Sequence, residues 1–245
     1  MRNIKLIMSY DGSRYQGWQR LPHQGQTIQG KLEETLSRIL GEEITVSGSG
    51  RTDAGAHALG QVVNFHCRSD MPCPEMLSQL RRYLPEDMGI HSCQEASPRF
   101  HARLSARAKT YEYRIWNSPE PRVFQRRYEY QVMQPLDLQA MRQASEALLG
   151  THEYRAFCTQ SGAKKDTKRT VSRIEWTQNG PELHMRITGT GFLYNMVRII
   201  VGTLIEVGRH ERTPDCMADI LASQDRRQAG YTVPAKGLFL VEVEY

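Results

Sequence analysis

The stretch from Gly48 to Gln61, GSGRTDAGAHALGQ, decides how the chain is interpreted. It separates two strand-like runs, Ile44–Ser47 and Gln61–Cys67, where a two-residue hairpin turn would be enough. Its glycines allow positive φ angles and a close approach of backbone to a ligand. Its one carboxylate, Asp53, lies between an arginine and a histidine. A long glycine-rich loop on a strand pair is typical of a functional site, although the same residues suit an ordinary turn with Asp53 as the turn former.

Outward from this loop, the periodicity of apolar residues predicts an ordered set of elements in the first half of the chain. The predicted strands and helices are, in order, Asn3–Tyr10, helix Thr27–Leu40, Ile44–Ser47, Gln61–Cys67, helix Pro74–Leu84 and Gly89–Glu95. The order is β-α-β-β-α-β, which is that of a ferredoxin-like unit.

The second half is predicted to repeat this order. The predicted elements are Lys109–Trp116, helix Leu138–Leu149, Thr170–Thr177, Glu182–Thr190, helix Phe192–Val207, a helix capped by Thr213 and started by Pro214, and Leu238–Glu244. The hairpin at Asn179-Gly180 is tight, whereas the equivalent hairpin of the first half is expanded around Asp53. We therefore predict an α/β (α+β) fold of two tandem ferredoxin-like βαββαβ units, residues 1–105 and 106–245. Ser97–Ala108 would link them, and a ligand-binding cleft would lie between them.

Composition narrows the functional class. The 245 residues carry a net charge of +5 and the pI is about 9.0, a balance that suits a polyanionic partner but also an ordinary basic protein. The five cysteines are odd in number and form no C-x-x-C pair, which predicts reduced thiols in a cytosolic protein rather than disulfides or a zinc site. The N-terminus has no apolar signal core, and we expect no membrane span.

Arg198 lies in a helix that is apolar nearly all round. An unpaired guanidinium buried there would cost roughly several kcal/mol, so it needs an anionic partner or a path to water. Pairing with Asp53 across the cleft would keep that carboxylate ionised and oriented. The alternative is that the long side chain extends along the apolar surface to solvent.

Five blocks of sequence, in one order, make the chain resemble the bacterial tRNA pseudouridine synthase A family along almost its whole length. The blocks are Tyr10-Asp11-Gly12…Tyr15…Gly17-Trp18-Gln19, Gly50-Arg51-Thr52-Asp53-Ala54-Gly55…His57-Ala58…Gly60-Gln61-Val62, Lys109-Thr110-Tyr111-Glu112-Tyr113, Gly191-Phe192-Leu193…Met196-Val197-Arg198…Val201-Gly202 and Pro234-Ala235-Lys236-Gly237-Leu238. The resemblance implies a pseudouridine synthase fold with a basic RNA-binding cleft. One departure is Ala56, where the family usually has valine.

The resemblance also implies roles for particular residues. It makes Asp53 the catalytic nucleophile, Tyr111 the active-site tyrosine and Arg198 the arginine that binds the aspartate. It associates Arg51 with displacement of the target base and Leu238 with packing on the uracil. His57 is interpreted as a structural loop residue, and Tyr113 as a core tyrosine.

The reaction that the resemblance implies is conversion of uridine to pseudouridine in tRNA, at positions 38, 39 and 40 of the anticodon stem-loop. It needs no cofactor and no metal, and it implies a cytoplasmic homodimer. The aspartate could add to C1′ or C6, or could remove the 2′ proton. Two alternatives stay open: a paralogous synthase that acts on another RNA, and an RNA-binding module without catalysis.

RNA contacts are expected from basic residues outside the pocket, although each of them could equally be a solvated surface charge. The candidates are Arg14, Arg20, Arg99, Arg103, Arg107, Lys164, Lys165, Lys168 and Arg169.

Overall fold

The computed structural model describes residues 1–20, 26–159 and 166–245. The chain divides into two compact units: unit 1 comprises Met1–Arg107 and Phe239–Tyr245, and unit 2 comprises Ala108–Leu238. The sequence placed the boundary after residue 105 and assigned the last strand to the second half. That strand instead belongs to unit 1, because Phe239 and Leu240 pair in parallel with His57 and Ala58.

The elements follow one another in chain order. The strands are β1 (Arg2–Tyr10), β2 (Ser47–Gly48), β3 (His57–Cys67), β4 (Met88–Glu95), β5 (Ala108–Asn117), β6 (Tyr130–Val132), β7 (Gly150–Glu153), β8 (Lys168–Asn179), β9 (Glu182–Gly189) and β10 (Leu238–Glu244). The α-helices are α1 (Ile28–Leu40), α2 (Cys73–Tyr83), α3 (Leu138–Glu146), α4 (Met196–Gly208) and α5 (Cys216–Ser223). Short 3₁₀ turns cover Gly12–Arg14, Arg155–Phe157, Arg226–Gln228 and Ala235–Gly237.

Unit 1 has the predicted β-α-β-β-α-β order, followed by β10. Strand β1 lies between β3 and β4 and pairs antiparallel with both, with Leu6 opposite Val63 in β3. Helix α1 begins at Ile28, one residue after the predicted start at Thr27, whose Oγ1 accepts a hydrogen bond from the Gly30 N–H at 3.2 Å. It ends at Gly41, which has a left-handed φ of 68°. Local capping signals in the sequence therefore fix this helix.

The hairpin that carries Asp53 differs from its prediction at both ends. Strand β2 contains only Ser47–Gly48 instead of Ile44–Ser47, and β3 begins at His57 instead of Gln61. The extension of β3 arises because β1 reaches Tyr10 and pairs it with Ala58. The connecting loop is therefore residues 49–56, shorter than the sequence suggested.

The segment predicted to be a linker, Ser97–Ala108, is fastened to the sheet of unit 1. The buried Asn3 donates its Nδ2 to the carbonyls of Ser97 and Phe100 at 2.8 and 2.9 Å. The Oδ1 of Asn64, also buried, accepts from the Ala102 N–H at 2.8 Å. These bonds satisfy backbone polar groups that would otherwise need solvent, so the segment is part of unit 1 and β5 begins at Ala108.

Unit 2 is a sheet in the order β5-β9-β8-β7, with β6 paired in parallel to β5. The predicted hairpin between β8 and β9 is confirmed: Asn179 pairs with Glu182, and Gly180 has a φ of 56°. Strands β6 and β7 were not predicted, since three or four residues give too little alternation.

The helices of unit 2 are shorter than predicted. Helix α4 begins at Met196 rather than Phe192, because Asn195 adopts a left-handed φ of 62°. Helix α3 stops at Glu146, before the predicted Leu149. Helix α5 begins at Cys216, and the expected cap Thr213 contributes only its carbonyl, which accepts from the Cys216 N–H at 3.1 Å. Across residues 1–20, 26–159 and 166–245, no helix has the length and apolar character needed to cross a membrane.

Candidate active site

The loop that carries Asp53 is held in place by backbone and side chains from the N-terminal segment 10–18. Thr52 is bound twice: its Oγ1 lies 2.7 Å from the Tyr10 hydroxyl, and its carbonyl accepts from the Trp18 N–H at 3.1 Å. The Gly55 N–H donates to the Tyr15 carbonyl at 3.3 Å, and Gly55 has a φ of 79°. Residues on both sides of Asp53 are therefore fixed.

Two glycines of the N-terminal segment allow this close packing. A Cβ added to Gly12 would lie 1.9 Å from the Ala56 carbonyl oxygen. A Cβ on Gly17 would lie 2.9 Å from the Thr52 carbonyl oxygen, and Gly17 has a φ of 95°. Backbone thus packs directly on backbone at both points, which only glycine permits.

A buried polar network supports the base of the loop. Gln61 is fully buried: its Oε1 accepts from the Ser49 hydroxyl at 2.6 Å, and its Nε2 donates to the Gly50 carbonyl at 3.0 Å. Burial raises the pKa of Tyr10 to about 12, so this hydroxyl keeps its proton at neutral pH. Such a satisfied network gives the loop one defined conformation.

Asp53 is half-buried at the centre of this rigid loop, and Arg51 is exposed. The Ala56 N–H donates to the Asp53 carbonyl at 3.1 Å and closes the turn. His57 has the structural role expected of it, but it lies in β3 and not in the loop. It is 1% exposed, its Nδ1 accepts from the Gly12 N–H at 3.1 Å, and its ring stacks on Phe239 at 4.7 Å.

The two tyrosines on one face of β5 differ in their surroundings. Tyr111 is 8% exposed, and its ring meets the Phe192 ring edge-on with centroids 5.1 Å apart. Tyr113 is fully buried, and its hydroxyl donates to the Pro234 carbonyl at 2.7 Å. Burial holds the pKa of Tyr113 well above its usual value, although Arg198 opposes this. The prediction that Tyr113 belongs to the core is confirmed.

Arg198 is half-buried in the first turn of α4. Its Nε donates to the Val233 carbonyl at 2.8 Å, and its Nη1 donates to the Asn195 Oδ1 at 2.7 Å. Since guanidinium nitrogens lie in one rigid plane, these two bonds set the direction of the whole group. The pairing of Arg198 with Asp53 stays a prediction.

The segment that provides the Val233 carbonyl packs tightly on α4. A Cβ on Gly202 would lie 1.9 Å from the Tyr231 carbonyl oxygen. The Gly230 N–H donates to the Oγ1 of the fully buried Thr203 at 2.9 Å. Further along this segment, Leu238 is 6% exposed at the start of β10. Leu238, the residue expected to pack on the uracil, therefore lies five residues after Val233, whose carbonyl orients Arg198.

The candidate RNA-binding residues fall into two groups. Three are engaged within the protein: Arg14 with Asp87 at 2.5 Å, Arg20 with Glu33 at 3.2 Å, and Arg169 with the Asp166 and Lys168 carbonyls at 3.1 and 2.6 Å. Four others, Arg99, Arg103, Arg107 and Lys168, are exposed, as are the paired Arg14 and Arg20. Lys164 and Lys165 lie outside the described residues.

The role of the N-terminal block as the support of the Asp53 loop was not predicted from the sequence. Gly12 and Gly17 could have indicated it, because no turn that needs a glycine was predicted at either position. The role of residues 229–233 was not predicted either. That segment carries no periodic pattern, and its importance depends on the α4 surface that it covers.

Comparison with known proteins shows the family to which this chain belongs. The family model described as tRNA pseudouridine synthase matches residues 6–104 and 144–245, and the chain belongs to that family. The predicted pseudouridine synthase fold is thereby confirmed.

Relatives of similar length match end to end. A protein named tRNA pseudouridine synthase A from Moorella thermoacetica is 44% identical over 99% of both chains. Proteins of the same name from Bacillus sp. (strain KSM-64) and Brevibacillus brevis are each 44% identical over the full length of both chains.

Proposed function

We propose that the protein is an RNA-modifying isomerase that converts uridine to pseudouridine in tRNA, at positions 38, 39 and 40 of the anticodon stem-loop. The observation that carries this proposal is end-to-end similarity to relatives named tRNA pseudouridine synthase A. Packing of the N-terminal segment against the Asp53 loop supports it, because a binding module would not need one carboxylate held so rigidly.

The reaction rearranges one nucleoside. The bond between N1 and C1′ breaks, the uracil turns, and C5 bonds to C1′ while C5 loses its proton and N1 gains one. Atoms and electrons balance within the substrate, so the proposal needs no redox partner or group donor. Because chemistry on a base requires it to leave its stack, the enzyme must bind a flipped nucleotide.

Asp53 is proposed as the nucleophile, acting at C1′ or C6 or on the 2′ proton. Its fixed backbone supports this role, since a nucleophile must be held close to its attack geometry before the reaction begins. Arg198 is proposed to orient the carboxylate. Its bonds to Val233 and Asn195 pre-orient the guanidinium for this purpose.

Tyr111 is proposed to stack on the uracil and to take part in loss of the C5 proton. Leu238 would pack on the same base, and the exposed Arg51 would fill the position that the flipped base leaves in the RNA. The exposed basic residues Arg99, Arg103, Arg107 and Lys168 are proposed to contact phosphates. We further propose that the enzyme is a homodimer and acts in the cytoplasm.

Turnover by Asp53→Asn tests the catalytic assignment. Tritium released from tRNA labelled at C5 of uridine measures turnover, and filter binding measures affinity. We expect turnover to fall by more than about a thousandfold, while affinity for tRNA changes by a few-fold at most. Asp70→Asn is the matched control, because Asp70 is exposed in the loop before α2. Turnover by Asp53→Asn within roughly tenfold of wild type would refute the role of Asp53.

The modified positions need a separate experiment. Pseudouridine mapping in RNA from cells with and without this gene should show loss at positions 38, 39 and 40 of tRNA. Loss confined to another RNA would support the paralogous synthase instead. No loss at all, together with retained tRNA binding, would support a non-catalytic module.

A further inference from the structure

Unit 2 contains a pocket that the proposed catalytic residues do not use. It has a volume of about 180 Å³ and is lined by residues that include Trp116, Arg122, Val123, Arg126, Glu129 and Lys236. Trp116 is five residues beyond Tyr111 on β5, roughly 17 Å along an extended strand. The Trp116 end of this pocket, called here the Trp116 pocket, is therefore distant from Tyr111, whereas Lys236 in its lining is two residues before Leu238.

The walls of the Trp116 pocket are fixed by hydrogen bonds and an aromatic contact. The Trp116 Nε1 donates to the Glu120 carbonyl at 2.7 Å, and the Arg122 guanidinium lies 4.8 Å from the indole centroid. Arg122 Nη1 also donates to Glu129 Oε1 at 3.0 Å and contacts Glu182. A base can stack on an aromatic ring or on a guanidinium plane, and this pocket offers both.

Glu129 supplies the second observation. Its side chain is only 10% exposed, and within the described part of the chain its Oε2 has no hydrogen-bond partner. A buried carboxylate oxygen without a donor costs free energy. Burial accordingly raises the pKa of Glu129, although Arg122 opposes the change. Since Oε2 is closed to solvent in this conformation, a rotation of the Glu129 side chain would bring it to the pocket, where an amino group would supply the missing donor.

The charge around the pocket favours a phosphate. Arg122, Arg126 and Lys236 line it, and two carboxylates, Glu129 in the lining and Glu182 beside it, offset the charge of Arg122. Arg126 is exposed and is held by a bond from its Nη1 to the Val123 carbonyl at 2.6 Å. The adjoining Phe124 is 87% exposed. Cations next to an exposed aromatic ring are typical of surfaces that bind single-stranded RNA.

We propose that the Trp116 pocket binds a second nucleotide of the RNA substrate, one whose base carries an exocyclic amino group. The amino group donates to Glu129 Oε2, the base stacks on the Trp116–Arg122 pair, and Arg126 and Lys236 contact the phosphate. Uracil fits less well, because its N3–H lies between two carbonyl oxygens that would face the carboxylate. This inference rests on the proposed function only in taking RNA as the ligand.

Binding of short RNA to the Asp53→Asn protein tests base preference without turnover. The probes are oligo(C) and oligo(U) of equal length, with affinity measured by fluorescence anisotropy. We expect oligo(C) to bind about tenfold more tightly. Glu129→Leu should abolish the difference, whereas Glu129→Gln, which keeps a carbonyl acceptor, should retain much of it. Equal binding of the two probes, or a preference that survives in Glu129→Leu, overturns the proposal.

The phosphate contact has its own test, which stays informative if Glu129→Leu fails to fold. Arg126→Ala should raise the Kd for tRNA several-fold and lower the salt slope by about one. Arg173→Ala is the matched control, because Arg173 is exposed on β8 and paired with Glu175, two strands from β5. Equal effects of the two variants overturn the proposal. The proposal is also overturned if Arg126→Ala changes the oligomeric state of the protein and leaves its tRNA affinity unchanged. That result would make this surface a contact between two copies of the chain. Absence of tritium release by the wild-type protein would instead refute the proposed function.

Discussion

Gly12→Ala should inactivate the enzyme through the Asp53 loop without touching substrate. Gly12 is buried, and the added Cβ would lie 1.9 Å from the Ala56 carbonyl oxygen, where ordinary contact begins at 3.4 Å. The loop or the N-terminal turn must then move by roughly 1.5 Å, since a packed interior has no space to absorb the methyl group. The nearest obstacle is backbone rather than a flexible side chain, so no rotamer change relieves the contact.

The magnitude follows from that displacement. A misplacement of about 1 Å in a catalytic group costs about a hundredfold in rate, so we expect kcat to fall by at least that factor. Overpacking of this kind lowers the free energy of unfolding by about 1–3 kcal/mol. Affinity for tRNA should change less than kcat, because the exposed residues Arg99, Arg103 and Lys168 lie outside the displaced loop. Tritium release gives kcat, filter binding gives Kd, and urea denaturation gives stability.

Gly41→Ala separates loop displacement from loss of stability. Gly41 has a φ of 68°, and an added Cβ there would meet no atom within 4 Å. The left-handed backbone should cost about 1 kcal/mol, yet the Asp53 loop stays in place and kcat should match wild type. Wild-type kcat in Gly12→Ala, or an equal loss of kcat in the two variants, would refute the reasoning.

Three further changes probe unit 2. Arg198→Met should abolish turnover and lower the free energy of unfolding by about 1–3 kcal/mol, because the Val233 carbonyl loses its donor; wild-type tritium release would contradict the role of Arg198. Tyr111→Phe should bind tRNA normally but stall before loss of the C5 proton, and full turnover would reduce Tyr111 to a stacking surface. Glu112→Gln should flatten the acid side of the stability curve. Although burial raises the pKa of Glu112, hydrogen bonds from Arg186 and Arg114 outweigh it and the pKa is lowered. The stability that Glu112 contributes is therefore present above pH 4.5 and lost as pH falls below it. If the urea midpoint of Glu112→Gln varied with pH between 3 and 6 as that of the wild type does, this contribution would be excluded.

The sequence predicted those elements whose signals are local. Helix α1 was predicted to within one residue because Thr27 and Gly41 cap it, and the β8–β9 hairpin because Asn179-Gly180 specifies its turn. It failed where distant partners decide. The length of β3 depends on pairing with β1, and the attachment of 97–108 depends on Asn3 and Asn64.

The sequence by itself determined the class of fold and singled out Asp53 and Arg198, because glycine spacing, apolar period and residue chemistry are properties of short segments. The role of Tyr111 came from the resemblance to the family. Only the tertiary structure decided how those residues are held. The Asp53 loop owes its shape to Gly12 and Gly17, more than thirty residues away in the chain. Arg198 owes its direction to the Val233 carbonyl. Close packing and hydrogen-bond partners join segments that are remote in sequence, and no local pattern encodes which of them will meet.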